Sequence, residues 1–262
     1  MTFPLITLTT DFGTGDHFVG TMKGVILAIA PRARIVDITH EIQPYNIGEA
    51  GFAIAQAWRY FPKGTVHVVV VDPGVGTARR AILVQAGGQY FVGPDNGVFS
   101  MIYDAAPSRV REISNAKLRL GAVSRTFHGR DIFAPAAAHL ARGTAAARFG
   151  KLVKDAIRAP VFAPAHLKGS VWRGVVLKAD RFGNLITNFH SHQFPDIKTQ
   201  PMEVRLGRVR IHRLALTYGD TAVGELFAIV GSSGFIEIAA NQASAAEKLN
   251  CGAGAAVELE FV

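Results

Sequence analysis

Apolar and polar positions follow two different rhythms along this chain. From residue 5 to residue 141, short β-branched runs alternate with segments of helical period. Residues 5–10 form the first such run and end at Asp11-Phe12-Gly13; residues 18–29 then carry a helical apolar period that Pro31 closes. A second strand is predicted over 34–38, reaching Asp37, and a helix rich in alanine and aromatics over 48–61. Residues 65–71 (TVHVVVV) have the composition of a strand buried on both faces of a parallel sheet, and they end at Asp72-Pro73-Gly74. Gly87-Gly88, between apolar runs at 81–85 and 90–92, predicts a hairpin, and 131–141 predicts a further helix.

The rhythm breaks at 151–170, where prolines enter. Beyond it come short strands at 171–178, 185–189, 202–206, 209–214, 226–230, 235–239 and 256–262, with one short helix near 243–249. The pattern predicts an α/β domain with a mainly parallel sheet over 1–158, a linker over 159–170, and a smaller all-β, barrel-like domain over 171–262.

Composition narrows the function classes. The 262 residues are 49% hydrophobic and 18% charged, which is globular rather than disordered. Cys251 is the only cysteine, so neither an internal disulfide nor a cysteine metal cluster can form. The nine histidines contain no HExxH pairing, so no metal is expected. No apolar stretch is long enough to cross a membrane, and MTFPLITLTTDFG carries no secretion pattern, so a soluble cytoplasmic protein is expected. The net charge of +8 raises the question of nucleic acid. Its densest run, Arg205, Arg208, Arg210 and Arg213, alternates around a glycine turn and reads as the solvated face of a hairpin, with no nucleic-acid motif beside it.

The candidate chemistry sits where predicted strands end. Asp11, Asp37 and Asp72 all fall there, and in an open parallel sheet ligands bind beyond the carboxyl ends of the strands. Asp37 reads as a cap for the following turn. Asp72 opens DPGVGTARR, with Arg79 seven residues on, and TFHGRD supplies His128 just before a helix. An aspartate, an arginine and a histidine from separate loops make one polar cluster only if the fold brings them together. The GVG turn lacks the Lys-Ser/Thr of a phosphate loop and the full dinucleotide fingerprint.

Seven blocks in order, LTTDFGTGD, VDITHEIQPYNIGEA, FPKGTVHVVVVDPGVGTARR, VGPDNGVFS, TFHGRDIFAPAAAHLA, ADRFGNLITNF and GELFAIVGSSGFIEIAANQASAA, resemble the S-adenosyl-L-methionine hydroxide adenosyltransferase family. That family is related to enzymes that make 5′-halogenated adenosines. The resemblance implies hydrolysis of S-adenosyl-L-methionine to adenosine and L-methionine without a cofactor. It also implies an α/β domain followed by a β-barrel-like domain, and a homotrimer with active sites between subunits.

Site residues follow from the same resemblance. Asp72, Arg79 and His128 match the set that holds the attacking water, and Asp11 the ligand of the ribose hydroxyls. Asp16 matches a position near the methionine end, although Phe18 replaces a serine found beside it in halogenating relatives. Tyr45 stands where relatives stack a tryptophan on the nucleoside; core packing is the alternative. In the second domain Asp180 matches the partner of the methionine ammonium, Asn184 a reader of the adenine edge, and Ser232 the ligand of the methionine carboxylate. Glu237 and Ala240 match positions beside adenosine, with an outward-facing strand residue as the alternative for Glu237. Halogenating relatives carry tyrosine at Asp72, threonine at Val75 and Tyr-Ser at His128-Gly129, and the fluorinating ones add a loop for which residues 92–100 leave no room. The competing readings are therefore a 5′-halogenase and a non-catalytic adenosine-binding module.

Overall fold

The computed structural model describes residues 4–159, 166–169, 171–197 and 199–261. They fall into two compact units, within 1–160 and within 161–262. Most of the stretch read as a linker lies outside the described residues, but its His166–Lys168 is a strand.

The first unit is a three-layer α/β/α sandwich. Its strands are β1 (Leu5–Thr10), β2 (Arg34–Thr39), β3 (Val66–Val70), β4 (Ala81–Ala86), β5 (Gln89–Pro94), β6 (Ser108–Glu112) and β7 (Leu152–Val153), in the spatial order β2-β1-β3-β5-β4-β6-β7. Helices α1 (Phe18–Ile29) and α4 (Ala134–Ala141) pack on one face through Met22, Ile26 and the alanines of α4. On the other face lie α2 (Ile47–Ala57) and α3 (Ser100–Ala105), packed through Ile54 and Ile102.

The sheet is mixed rather than mainly parallel. β2, β1, β3 and β5 run parallel, whereas β4, β6 and β7 add antiparallel pairings. The Gly87-Gly88 turn is the cause: both residues have positive φ (57° and 79°), the geometry of a tight hairpin that reverses the chain. Asp37 also departs from expectation. It sits inside β2, and the cap of α2 is Asn46, whose side chain accepts the Glu49 N–H.

β3 is buried at every position, including His67. The His67 Nδ1 lies 2.7 Å from the Thr7 hydroxyl, and Nε2 meets the Gln89 carbonyl oxygen. Gln89 donates its amide to the Trp58 and Phe61 carbonyls, so its oxygen is the acceptor and His67 Nε2 the donor. Burial lowers the ring's pKa to about 4, so it is neutral at pH 7 with its proton on Nε2. As pH falls below 6.5 the unfolded chain takes up a proton that the native ring refuses, so stability falls with pH. The expected loss is about 3 kcal/mol by pH 4. Urea unfolding at pH 7 and pH 4 measures it. His67→Gln should show a shallower pH dependence than wild type, and identical slopes would contradict the neutral assignment.

Among the described residues the second unit is one long antiparallel sheet with a single parallel pairing. Its strands are β8 (His166–Lys168), β9 (Val171–Ala179), β10 (Leu185–His190), β11 (Met202–Leu206), β12 (Val209–Ile211), β13 (Leu214–Ala215), β14 (Leu226–Val230), β15 (Phe235–Ala240) and β16 (Ala256–Phe261). The order β12-β11-β16-β9-β10-β15-β14-β13, with β8 beside β9, curls until β12 approaches β14. The core inside the curl contains Phe189, Val204, Ile236 and Leu259, and α5 (Ala245–Leu249) packs against β15. The strand expected over 209–214 is split, with β12 on β11 and β13 parallel to β14. On the β11–β12 hairpin two of the arginines are engaged by acids: Arg205 by Glu203 and Glu260, and Arg210 by Glu203. Among the described residues no helix is long and apolar enough to cross a membrane.

Candidate active site

β1 and β3 are parallel neighbours, so their carboxyl ends, and Asp11 and Asp72 just beyond them, emerge on the same edge. A cavity of about 360 Å³ opens there, walled by Asp11, Tyr45, Asp72, Val75 and His128 among others. Three aromatic rings form its apolar side. Phe12, Phe18 and Phe127 pack edge to face or tilted, with centroids 5.2–6.0 Å apart.

The three residues expected to hold water are joined in one hydrogen-bonded chain. Arg79 Nε donates to both Asp72 carboxylate oxygens, at 2.9 and 3.0 Å. Its Nη2 donates to Asp72 Oδ2 and, at 2.9 Å, to His128 Nδ1. Arg79 does not line the cavity; it lies behind Asp72 and His128, its guanidinium 5.2 Å above the Phe133 ring. A guanidinium has no acceptor, so His128 Nδ1 is the acceptor and the neutral ring carries its proton on Nε2. Burial and the Arg79 cation both pull the imidazole below its ordinary pKa, outweighing Asp72, Asp131 and the Ser124 carbonyl.

Two devices set the loop that presents His128. A π-helical turn at Gly129–Phe133 follows it directly, a distortion common at functional sites. Buried Asp131 accepts the Ser124 N–H at 2.7 Å and pairs with Arg130. The same loop meets the Asp72 loop at Gly76, where a Cβ would fall 2.2 Å from the Arg125 carbonyl oxygen.

Asp11 accepts the Tyr45 N–H at 2.9 Å. Burial raises the Asp11 pKa, with a smaller push from the Asp72 charge, against the backbone bonds that oppose it. Tyr45 is 73% exposed and holds a positive φ of 66°, so its ring stands at the cavity rim and not in the core. Asp16 lies exposed on the loop before α1 and does not line the cavity.

In the second unit, Asp180, Asn184, Ser232, Glu237 and Ala240 all line one cavity of about 770 Å³, together with Tyr218 and Phe182. Asp180 organises the turn between β9 and β10. Its Oδ1 accepts the Phe182 and Asn184 N–H groups, both at 2.9 Å, and its Oδ2 accepts Asn184 Nδ2 at 2.9 Å. Asn184 Nδ2 also lies 3.4 Å from the Tyr218 hydroxyl, which leaves Oδ1 as the amide atom free to read a ligand. The outward-facing alternative for Glu237 does not hold. Its side chain is buried in the cavity wall over Gly231, where a Cβ would fall 1.8 Å from Oε1. Burial and then the Asp180 charge raise the Glu237 pKa, against a hydrogen bond from Tyr218.

Sequence reasoning missed Phe12, Phe127 and Tyr218. The first two directly follow or precede motif residues, in TDFG and TFHG, which was the available signal. Tyr218 lies outside every motif used.

Residues 6–150 match the SAM hydroxide adenosyltransferase N-terminal domain and residues 174–258 the C-terminal domain. The (R)-S-adenosyl-L-methionine hydrolase of Salinispora tropica is 40% identical over 94% of both chains. A fluorinase of Actinoplanes sp. is 30% identical over 97% of this chain and 96% of its own. The crystal structure of an uncharacterized conserved protein from Thermotoga maritima superposes with a TM-score of 0.90 at 38% identity, covering 97% of this chain and 99% of that one. With both of its units matched in order, the chain belongs to the SAM hydroxide adenosyltransferase family.

Proposed function

We propose that this chain hydrolyses S-adenosyl-L-methionine to adenosine and L-methionine, water attacking the ribose C5′ in line with the departing sulfur. The Asp72–Arg79–His128 chain at the cavity wall is the observation that carries this reading. Kinship with hydrolases of S-adenosyl-L-methionine supports it.

The water oxygen forms the new bond to C5′ as the C5′–S bond breaks and its electron pair returns to sulfur. The sulfonium becomes a neutral thioether, so the leaving group needs no acid. One proton of the water must leave. His128 cannot take it without giving up Arg79, because its Nδ1 lone pair is already engaged. Asp72 keeps acceptor capacity beyond its bonds from Arg79 and takes the proton, while the fixed cation favours the hydroxide-like oxygen. The aromatic side of the cavity keeps other water from the reacting atoms. The scheme uses water and substrate alone. Asp11 takes the ribose hydroxyls and Tyr45 covers the nucleoside. Asp180, Asn184, Ser232, Glu237 and Ala240 hold the adenine and methionine ends, and Asp16 lies toward methionine. In this reading the chain works in the cytoplasm as a homotrimer, each site completed by a neighbouring subunit.

Halide is the weaker nucleophile here. The Asp72 carboxylate beside the attack line repels an anion by on the order of a few kcal/mol in a poorly solvated pocket. At Gly129, where halogenating relatives carry serine, a Cβ would meet Met22 Sδ at 3.1 Å and Phe127 at 3.2 Å. The test offers each sulfonium epimer separately, with and without chloride, and quantifies nucleosides by chromatography. Equimolar adenosine and methionine, faster from the R epimer named for the relatives, is the expected outcome. A 5′-chloro nucleoside, or bound but unconverted substrate, would overturn the reading.

A further inference from the structure

Asp37 and the buried His40 belong to the VDITH motif and play no part in the scheme above, yet they are tied to the site. The His40 Nδ1 lies 2.9 Å from the Thr10 hydroxyl, and its Nε2 lies 3.1 Å from Asp37 Oδ1. Lys23 Nζ holds the other Asp37 oxygen at 2.6 Å. On the far side, Thr10 Oγ1 accepts the Phe12 N–H at 3.2 Å, and the His40 carbonyl accepts the Gly13 N–H at 2.8 Å. These bonds grip residues 10, 12 and 13, the flanks of Asp11.

The directions of the bonds are mutually consistent. Asp37 accepts from Lys23, and His40 Nε2 lies within ion-pair distance of its other oxygen without the alignment of a hydrogen bond. Thr10 Oγ1 accepts the Phe12 N–H, which leaves its hydroxyl proton to be donated to His40 Nδ1. Residues 30 apart in sequence are thereby locked, and the Asp11 carboxylate is set against the Tyr45 N–H on the next loop. Because His40 is only 5% exposed and does not line the cavity, it acts through Thr10 rather than on a ligand.

We propose that His40 is a positioning residue: through Thr10 it fixes the loop of Asp11 and thereby the grip on the vicinal hydroxyls of the nucleoside. This rests on the reading of Asp11 as the ribose ligand. The test therefore measures binding of adenosine and 2′-deoxyadenosine by calorimetry, which does not depend on turnover, alongside KM and kcat for S-adenosyl-L-methionine. In His40→Ala, adenosine affinity should fall about tenfold and 2′-deoxyadenosine affinity less than about threefold, because the lost contact is one the deoxy ligand already lacks. KM should rise with kcat nearly unchanged. Two conservative variants separate the halves of the ring. His40→Asn keeps an acceptor near Nδ1 for Thr10 and should restore discrimination between the two nucleosides. His40→Gln keeps only a donor for Asp37 and should not, and Thr10→Val should match His40→Ala. Equal losses for both nucleosides, or failure of His40→Asn to rescue where it folds, would overturn the proposal. Intact discrimination without hydrolysis would instead sink the proposed reaction and leave the positioning role standing.

Discussion

Replacing Arg79 with alanine lowers kcat on S-adenosyl-L-methionine by about 10²–10³-fold, the range seen when one preorganised hydrogen-bond donor is removed from a catalytic site. The substitution deletes three things together. It removes the cation behind Asp72 and His128, the fork that aims both Asp72 oxygens, and the Nη2 donor to His128 Nδ1. It also strands Asp72, whose side chain is only 5% exposed, at a stability cost of about 3 kcal/mol. Arg79→Lys separates charge from geometry, because an ammonium is a point donor and cannot span carboxylate and imidazole as a planar fork does. It should keep less than about a tenth of wild-type kcat. The double change Asp72→Asn with Arg79→Ala should regain much of the lost stability and none of the activity. Urea unfolding and steady-state kinetics on the three variants check this, and a lysine variant with near-normal kcat would show that the fork is not needed.

Gly76→Ala should be nearly as damaging without touching any reacting group. Gly76 holds φ of 78°, and a Cβ there would lie 2.2 Å from the Arg125 carbonyl oxygen, inside contact distance by about 1 Å. One loop carries Asp72 and Arg79, the other leads into His128, so relief of the clash moves one half of the hydrogen-bonded chain away from the other. A displacement of about 1 Å at a reacting centre is worth about 10²-fold in rate. Gly143→Ala is the matched control: its φ is 89°, but nothing lies within 4 Å of the added carbon. It should cost only the left-handed backbone penalty, about 1–2 kcal/mol, and leave kcat unchanged. Equal kinetic effects in the two variants would mean that backbone strain, not the loop contact, was responsible.

Much of this was legible in the sequence because the informative signals are local. The β-branched run at β3 and the helical period of α1 announced themselves, and the Gly87-Gly88 turn marked the hairpin. β6 did not, since SRVRE is charged at Arg109, Arg111 and Glu112 and buries only Val110. It is a strand because β4 offers it a ladder, a fact about pairing partners rather than composition. The site divides in the same way. Motif matches singled out Asp11, Asp72 and His128, which line one cavity, and Asp180, Asn184, Ser232, Glu237 and Ala240, which line another. They did not show that Arg79 stands behind its cavity, that Asp16 lies outside its lining, or that Asp37 pairs with His40 instead of capping a turn. Each of those depends on side chains from different strands and loops meeting in space, which periodicity and spacing do not encode.

The most direct test of the central claim is a single turnover in oxygen-18 water with mass spectrometry of the nucleoside. Attack at C5′ predicts adenosine with one heavy oxygen, located at the 5′ position, and methionine with none. Unlabelled adenosine, or cleavage that leaves sulfur attached to the nucleoside, would contradict displacement at C5′ and with it the role given to Asp72, Arg79 and His128.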